Sequence, residues 1–404
     1  VDEGILDKIL VEAGTENVAV NAPIAILREE GEAAGATPVK NAAPKTEAPA
    51  AAKAAAPQAP TIVQQQVMAE PEYTGATTTH TVREALRDAM AEEMRRDPKV
   101  FLMGEEVGKY HGAYKVSKGL LDKWGPNRII DTPISELGFA GLGVGAAMTG
   151  LRPIIEFMSF NFSFVAADQI ISNAAKMYYM SGNRFSVPIV FRGPNGAAAQ
   201  VSSQHSHCVE AMYAHFPGLY IVVPSNAYDA KGLLKTAIRD PNPVLFLESE
   251  LLYGDKMEIP QEEYIIPLGK ASVVSSGTDI TIVAHGRMVK LCREAVSLLA
   301  KEGIFVELID LRTIRPLDCD TLLTSLSKTH RCLLVEEGHA FCGIAAEVAM
   351  QLMERGFDEL DAPIGRICQK ETPMPYSKVL EKETLPSVRE SCEQSESCCI
   401  ENKE

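Results

Sequence analysis

The chain has 404 residues, 46% of them hydrophobic and 23% charged, with a formal net charge of -15. That length points to two or three domains, and that balance to a globular enzyme rather than a disordered or membrane-spanning chain. The acidity, unrelieved by any Lys/Arg cluster, argues against nucleic acid as a partner, and no apolar run reaches the roughly 20 residues that span a bilayer. Nine cysteines, an odd number without a C-x-x-C pair, read as reduced thiols in an intracellular compartment and argue against zinc.

Residues 1–32 carry short β-branched runs broken by Gly14, Asn21 and Pro23, the pattern of hairpin strands in a segment too short to bury its own core. Residues 33–77 shift to Ala, Pro, Lys and Thr, a composition that reads as an extended linker. From Thr81, the run TVREALRDAMAEEMRRDP places Val82, Ala85, Leu86, Ala89, Met90 and Met94 near helical spacing, and Pro98 ends it. Strand-like and helix-like segments then alternate over residues 78–265, with SFVAADQIISNAAKMYY read as a helix, and again over residues 266–390. This predicts an α/β fold with two parallel, doubly covered sheets in separate domains. Residues 391–404 are polar, acidic and without a helical stripe, so a disordered tail is expected.

Several motifs carry chemistry. The glycines of DTPISELGFAGLGVGAAMTG lack the rhythm of a dinucleotide loop and suit close helix packing instead. Glu136 opens that apolar stretch, where burial would raise its pKa into the range of proton exchange; the alternative is a helix-terminal charge favoured by the macrodipole. The small-residue loop GPNGAAAQVSSQHSHC carries His205 and His207, without the third ligand cluster that a metal would need. Phe160, Phe162 and Phe164 form an aromatic run that is either core or a surface for a flat ring.

The runs GEEVGKYHGAYKVSKGL, RIIDTPISELGFAGLGVGAAMTGLRPIIEFMSFNF, VPIVFRGPNG, QHSH, AIRDPNP, LIDLRTIRPLD and PMPYSKVLE together resemble the pyruvate dehydrogenase beta-subunit family, nearly continuously from about Thr81 to Pro386. The resemblance implies a pyrimidine-binding domain over residues 78–265 and a transketolase C-terminal-like domain over 266–390, in an α2β2 assembly with thiamine diphosphate between the subunits. It further implies that Glu136 hydrogen-bonds a ring nitrogen of the aminopyrimidine, that Phe162 stacks on the ring, that Met158 and Ile134 line its pocket, and that His205 assists acetyl transfer to lipoate. The RDPNP segment resembles a structural potassium loop built from Ile189, Ala237, Ile238, Asp240 and Asn242. His207 stands where relatives often have Gln.

No G-D-G with a following N-x-x motif is present, so magnesium and the diphosphate are expected to be held by an α subunit. Residues 1–32 resemble the second half of a lipoyl domain, whose lipoyl-bearing lysine would lie upstream; neither Lys8 nor any other lysine here is that site. The implied function is oxidative decarboxylation of pyruvate and reductive acetylation of lipoyl domains on a dihydrolipoyl acetyltransferase core, feeding acetyl-CoA synthesis. The implied compartment is the bacterial cytoplasm, with the mitochondrial matrix as the alternative. Branched-chain 2-oxoacid and acetoin dehydrogenases share the fold and cofactor, and a non-catalytic tethered scaffold is the competing reading outside enzymes.

Overall fold

The computed structural model describes residues 5–12, 15, 22–28 and 73–400, which fall into two units, residues 1–58 and 59–404. In the first unit, strand Ile5–Ile9 pairs antiparallel with Ala25–Arg28, so strands form where the β-branched runs predicted them. Most of the expected linker and the last four residues lie outside the described residues.

In the second unit, strand Thr77–Thr81 leads into helix Val82–Arg96, whose N-terminus is closed by a capping box. The Thr81 side chain accepts from the Glu84 amide, and the Glu84 carboxylate accepts from the Thr81 amide, which satisfies two otherwise unpaired groups. Its apolar stripe, Val82, Ala85, Leu86, Ala89, Met90 and Met94, is buried against helix Ala227–Arg239. That packing covers one face of a seven-stranded sheet. Its order is Thr313–Arg315, Tyr220–Val222, Val244–Glu248, Val190–Pro194, Arg152–Glu156, Val100–Gly104, Ile129–Asp131. All pairs are parallel except the first, so six consecutive strands deliver their carboxyl ends to one edge of the sheet.

A second, five-stranded sheet runs Ser272–Ser275, Val306–Asp310, Ile280–Ala284, Cys332–His339, Gly365–Gln369, parallel apart from its first strand. The two domains are not cleanly separate. Strand Thr313–Arg315, reached only after the second domain has begun, adds to the edge of the first sheet, and the Val223 amide donates to the Arg312 carbonyl at 2.8 Å beside it.

Two sequence expectations change. The segment expected as one helix over SFVAADQIISNAAKMYY is a 3-10 turn at Phe160–Phe164, a π-helical turn at Gln169–Ala174 and a short α-helix at Ala175–Met180. The expected disordered tail is largely a helix, Val388–Ile400, packed on helix Arg287–Leu299. Its buried face is Ser391, Ser395 and Cys398, at helical spacing but without a large apolar residue, so a search for hydrophobic periodicity passes over it. Cys392 and Cys399 pack against the same core.

Candidate active site at the carboxyl edge of the first sheet

Glu136 is the first residue of helix Glu136–Met148, which follows strand Ile129–Asp131 after a short turn. Ser135 stands at the N-cap without a side-chain cap bond, and the first turn is closed by the Gly138 and Phe139 amides donating to the Ser135 carbonyl. The helix is apolar on most sides, and Gly143 lets it lie on the sheet: a Cβ there would stand 2.6 Å from Ile155 Cδ1. Glu136 is 8% exposed although it starts a surface helix.

Its neighbour is a residue the sequence reading passed over. Glu105 follows strand Val100–Gly104, is buried, and hydrogen-bonds Glu136. Burial, then the charge and hydrogen bond of Glu136, push the Glu105 carboxyl up to about 7. A carboxyl buried beside a second carboxyl ionises less readily than one in water, which is the physical cause of the raised Glu105 value. The signal for Glu105 was present in the sequence as an acidic pair directly after a buried strand, where parallel sheets place their functional groups.

The neighbouring strand Arg152–Glu156 leads to Phe157, Met158 and the aromatic run. The turn separates three side chains that an extended strand would have kept on one face. Phe160 is fully buried, Phe162 is half-buried, and Phe164 is 40% exposed. Phe162 meets the His205 ring edge-on, with centroids 5.3 Å apart, and Phe164 meets His207 at 5.4 Å. Asn161 ties the two segments together, its Oδ1 accepting from the His207 amide at 2.9 Å and lying 2.5 Å from His207 Nδ1. Burial, followed by the charges of His205 and His339, lowers the His207 pKa. His207 is therefore a strut fixed by Asn161, and His205 is the histidine that stands against Phe162.

Met158 is half-buried at the same edge of the sheet, whereas Ile134 is 82% exposed, so Ile134 lines no pocket enclosed by this chain alone. Leu137 and Leu142 on the adjoining helix are also exposed. The residues named for potassium meet at another corner, where helix Ala227–Arg239 ends and the RDPNP turn begins. Arg152 Nη1 donates to the carbonyls of Ile238 at 2.8 Å and Asp240 at 3.2 Å. Asp240 Oδ1 accepts from the Asn242 amide and side chain, the Ala237 carbonyl accepts from the Asp240 amide, and the Ile189 carbonyl accepts from the Val244 amide. Among the described residues no group of three or more His, Cys, Asp or Glu side chains could hold a metal ion, and no helix is long and apolar enough to cross a membrane.

Comparison with known proteins identifies the two domains. Residues 78–256 match the transketolase pyrimidine-binding domain and residues 269–390 the transketolase C-terminal domain. The chain is 53% identical to the pyruvate dehydrogenase E1 component subunit beta of Rhizobium meliloti, over 99% of this chain and 89% of that protein. It is 56% identical to the mitochondrial E1 subunit beta of Bos taurus, over 77% of this chain and 88% of the relative. A solved split-gene transketolase, an inactive beta4 tetramer, superposes with a TM-score of 0.66 at 21% identity, over 80% of this chain and 98% of that one, which establishes the fold alone. Built on these two transketolase-type domains, the chain belongs to the family of beta subunits of the pyruvate dehydrogenase E1 component.

Proposed function

We propose that this chain is the β half of a thiamine-diphosphate-dependent pyruvate decarboxylating component, active when paired with an α subunit in an α2β2 assembly. The observation that carries the reading is the buried Glu136–Glu105 carboxyl pair at the carboxyl edge of the sheet that also presents the Phe162–His205 contact. The donor set suits an aminopyrimidine. Glu136 offers a carboxyl for a ring nitrogen, Phe162 an aromatic face, and Met158 and Ile134 apolar walls, with the exposure of Ile134 matching a pocket completed by a partner. When bound, thiamine diphosphate supplies a carbon nucleophile and an electron sink for decarboxylation.

The chain's own part is to hold and move protons. Glu136 holds a proton against the ring nitrogen, and Glu105, whose carboxyl is pushed up to about 7, stands beside it in the same buried site. His205, braced by Phe162, is placed to hold a proton for acetyl transfer to a lipoyl group carried by the acetyltransferase core. Magnesium and the diphosphate fall to the α subunit. The RDPNP corner is proposed to take potassium: its carbonyls already serve a cationic group, Arg152, and each carbonyl oxygen has a second lone pair to offer. Residues 1–32 are proposed as the second half of a lipoyl domain, and the compartment as the bacterial cytoplasm.

The test is reconstitution with an α subunit, thiamine diphosphate and magnesium, comparing pyruvate with 2-oxoisovalerate. The expected result is cofactor-dependent turnover that needs α and prefers pyruvate. Substantial turnover by this chain alone, or a strong preference for the branched substrate, overturns the assignment. Asp240→Ala should make the melting temperature of the assembly less responsive to potassium, and an unchanged response removes Asp240 from that site.

A further inference from the structure

We propose that Glu337, carried by the second domain, is a positioning residue for His205, so that the second domain sets the geometry of acetyl transfer; this rests on the role given to His205 above. The loop between Asn195 and Cys208 leaves the carboxyl end of strand Val190–Pro194 and is rich in small residues. Its neck is closed by the Gly196 amide donating to the His207 carbonyl at 2.9 Å and the Val209 amide donating to Asn195 Oδ1 at 3.0 Å. Beyond the neck, Gln200 and Ser202 hold left-handed backbones, with φ of 60° and 64°, a conformation that persists in residues with a Cβ only where surroundings enforce it.

Those surroundings come largely from the second domain. The Ala197 amide donates to Glu337 Oε1 at 2.6 Å, the Gln200 amide to Glu381 Oε2 at 3.0 Å, and the Ser202 hydroxyl to the Met374 carbonyl at 3.3 Å. Glu337 is the fixed member of the three. It is 8% exposed and is held by Arg287, whose Nε donates to Oε2 at 3.0 Å while Nη2 lies in ion-pair range of Oε1 at 2.9 Å. The seat is close-fitting: a Cβ on Gly196, itself at φ +76°, would lie 2.8 Å from Glu337 Oε1. A strut that held only the two domains together would have no need to bond the backbone one residue inside the neck of the loop that carries His205.

The experiment uses the reconstituted αβ assembly and measures three quantities for each variant: decarboxylation with an artificial electron acceptor, reductive acetylation of a lipoyl domain, and amide exchange over residues 196–208. For Glu337→Ala, reductive acetylation should fall at least ten-fold more than decarboxylation, with faster exchange at Ala197 to Ser202. Glu337→Gln, which still offers an acceptor to the Ala197 amide, should recover part of the loss. Equal losses in both reactions, or acetylation unaffected, overturn the proposal. Should Glu337→Ala fail to assemble, Glu381→Ala removes the partly exposed contact to Gln200 and should show the same bias at smaller size; equal losses there have the same meaning. A parent assembly that decarboxylates but acetylates no lipoyl domain refutes the role of His205 instead, and amide exchange then decides alone: an unchanged loop in Glu337→Ala overturns the positioning role.

Discussion

Glu105 and Glu106 follow strand Val100–Gly104 of the first sheet, and Glu336 and Glu337 lie near the carboxyl end of strand Cys332–His339 of the second. The local sequences are alike, an acidic pair after a buried apolar run, yet the two pairs do different work because different partners surround them. Glu105 is buried against another carboxyl, Glu136, and the missing positive charge is made up by a proton. Glu337 is buried against Arg287 and a backbone amide, so its charge is compensated by fixed groups. Glu336 is spent on a helix end, Oε2 accepting from the Ile344 amide at 2.9 Å and the Ala345 amide at 3.3 Å. A carboxylate at a strand end becomes a proton-handling group only where the fold withholds a counter-cation.

The sharpest way to break that distinction is Glu136→Gln. The amide keeps size and a hydrogen bond but cannot pass a proton. A positioned proton-transfer group contributes about 10² to 10⁴ in rate, or roughly 3 to 5 kcal/mol of barrier, whereas a helix-terminal charge contributes only about 0.3 to 1 kcal/mol and to stability. Hydrogen–deuterium exchange at the thiazolium carbon of bound cofactor in the reconstituted assembly separates these effects before substrate enters. If the cofactor-saturated variant exchanges as fast as the parent, Glu136 is a helix-terminal charge after all.

Glu210 carries the comparison to the domain junction, where cation and carboxylates meet in unequal number. It is buried, accepts from Asn195 Nδ2 at 2.9 Å and lies 3.8 Å from His285 Nε2. Burial, and then the charges of Glu337 and Glu336, push its pKa from 4.5 up to about 7, while burial lowers His285 to about 4, leaving it neutral. A carboxyl whose folded pKa is raised stabilises the fold below its unfolded pKa, and this contribution is lost as pH rises through the folded value, here between 4.5 and about 7. Glu210→Gln should therefore flatten the decline in melting temperature between about pH 5 and pH 8, with a gain over the parent on the order of 3 kcal/mol at the upper end. A variant with the parent's pH slope would place the proton elsewhere.

How much of this could be read from the sequence depended on whether the determining contact was local. Helix Val82–Arg96 was legible to within a residue or two because its apolar period and the proline just after it are local signals. Glu136, Phe162 and His205 were reached through resemblance, and the geometry adds that Phe162 and His205 touch. Glu105 was missed because its partner is 31 residues away, a separation at which periodicity says nothing. Glu337 and Arg287 were missed for the same reason, the loop they hold lying in the other domain. Helix Val388–Ile400 was misread because Ser391, Ser395 and Cys398 make a buried face that composition scores as polar. The boundary expected near residue 266 takes no account of strand Thr313–Arg315, which crosses back to the first sheet.

The smallest effect expected is at Glu336, and it isolates the structural end of the comparison. Its carboxylate receives the first amides of helix Ile344–Gly356, groups that have no partner within the helix itself. The N-cap, Gly343, has no side chain to offer, and cannot gain one: a Cβ there would lie 2.1 Å from Glu336 Oε1 and 2.3 Å from the His339 carbonyl. Glu336 thus caps the helix from a neighbouring strand, and burial raises its pKa against the lowering effect of the amides it accepts. Glu336→Gln retains an acceptor oxygen and should cost no more than about 1 kcal/mol, the scale of a lost cap, read as a slightly lower melting temperature. Decarboxylation and the ratio of acetylation to decarboxylation should stay at the parent's values. A selective loss of acetylation in this variant would mean that the cap, rather than the Glu337–Ala197 bond, governs the His205 loop, and the division between the two adjacent glutamates would fail.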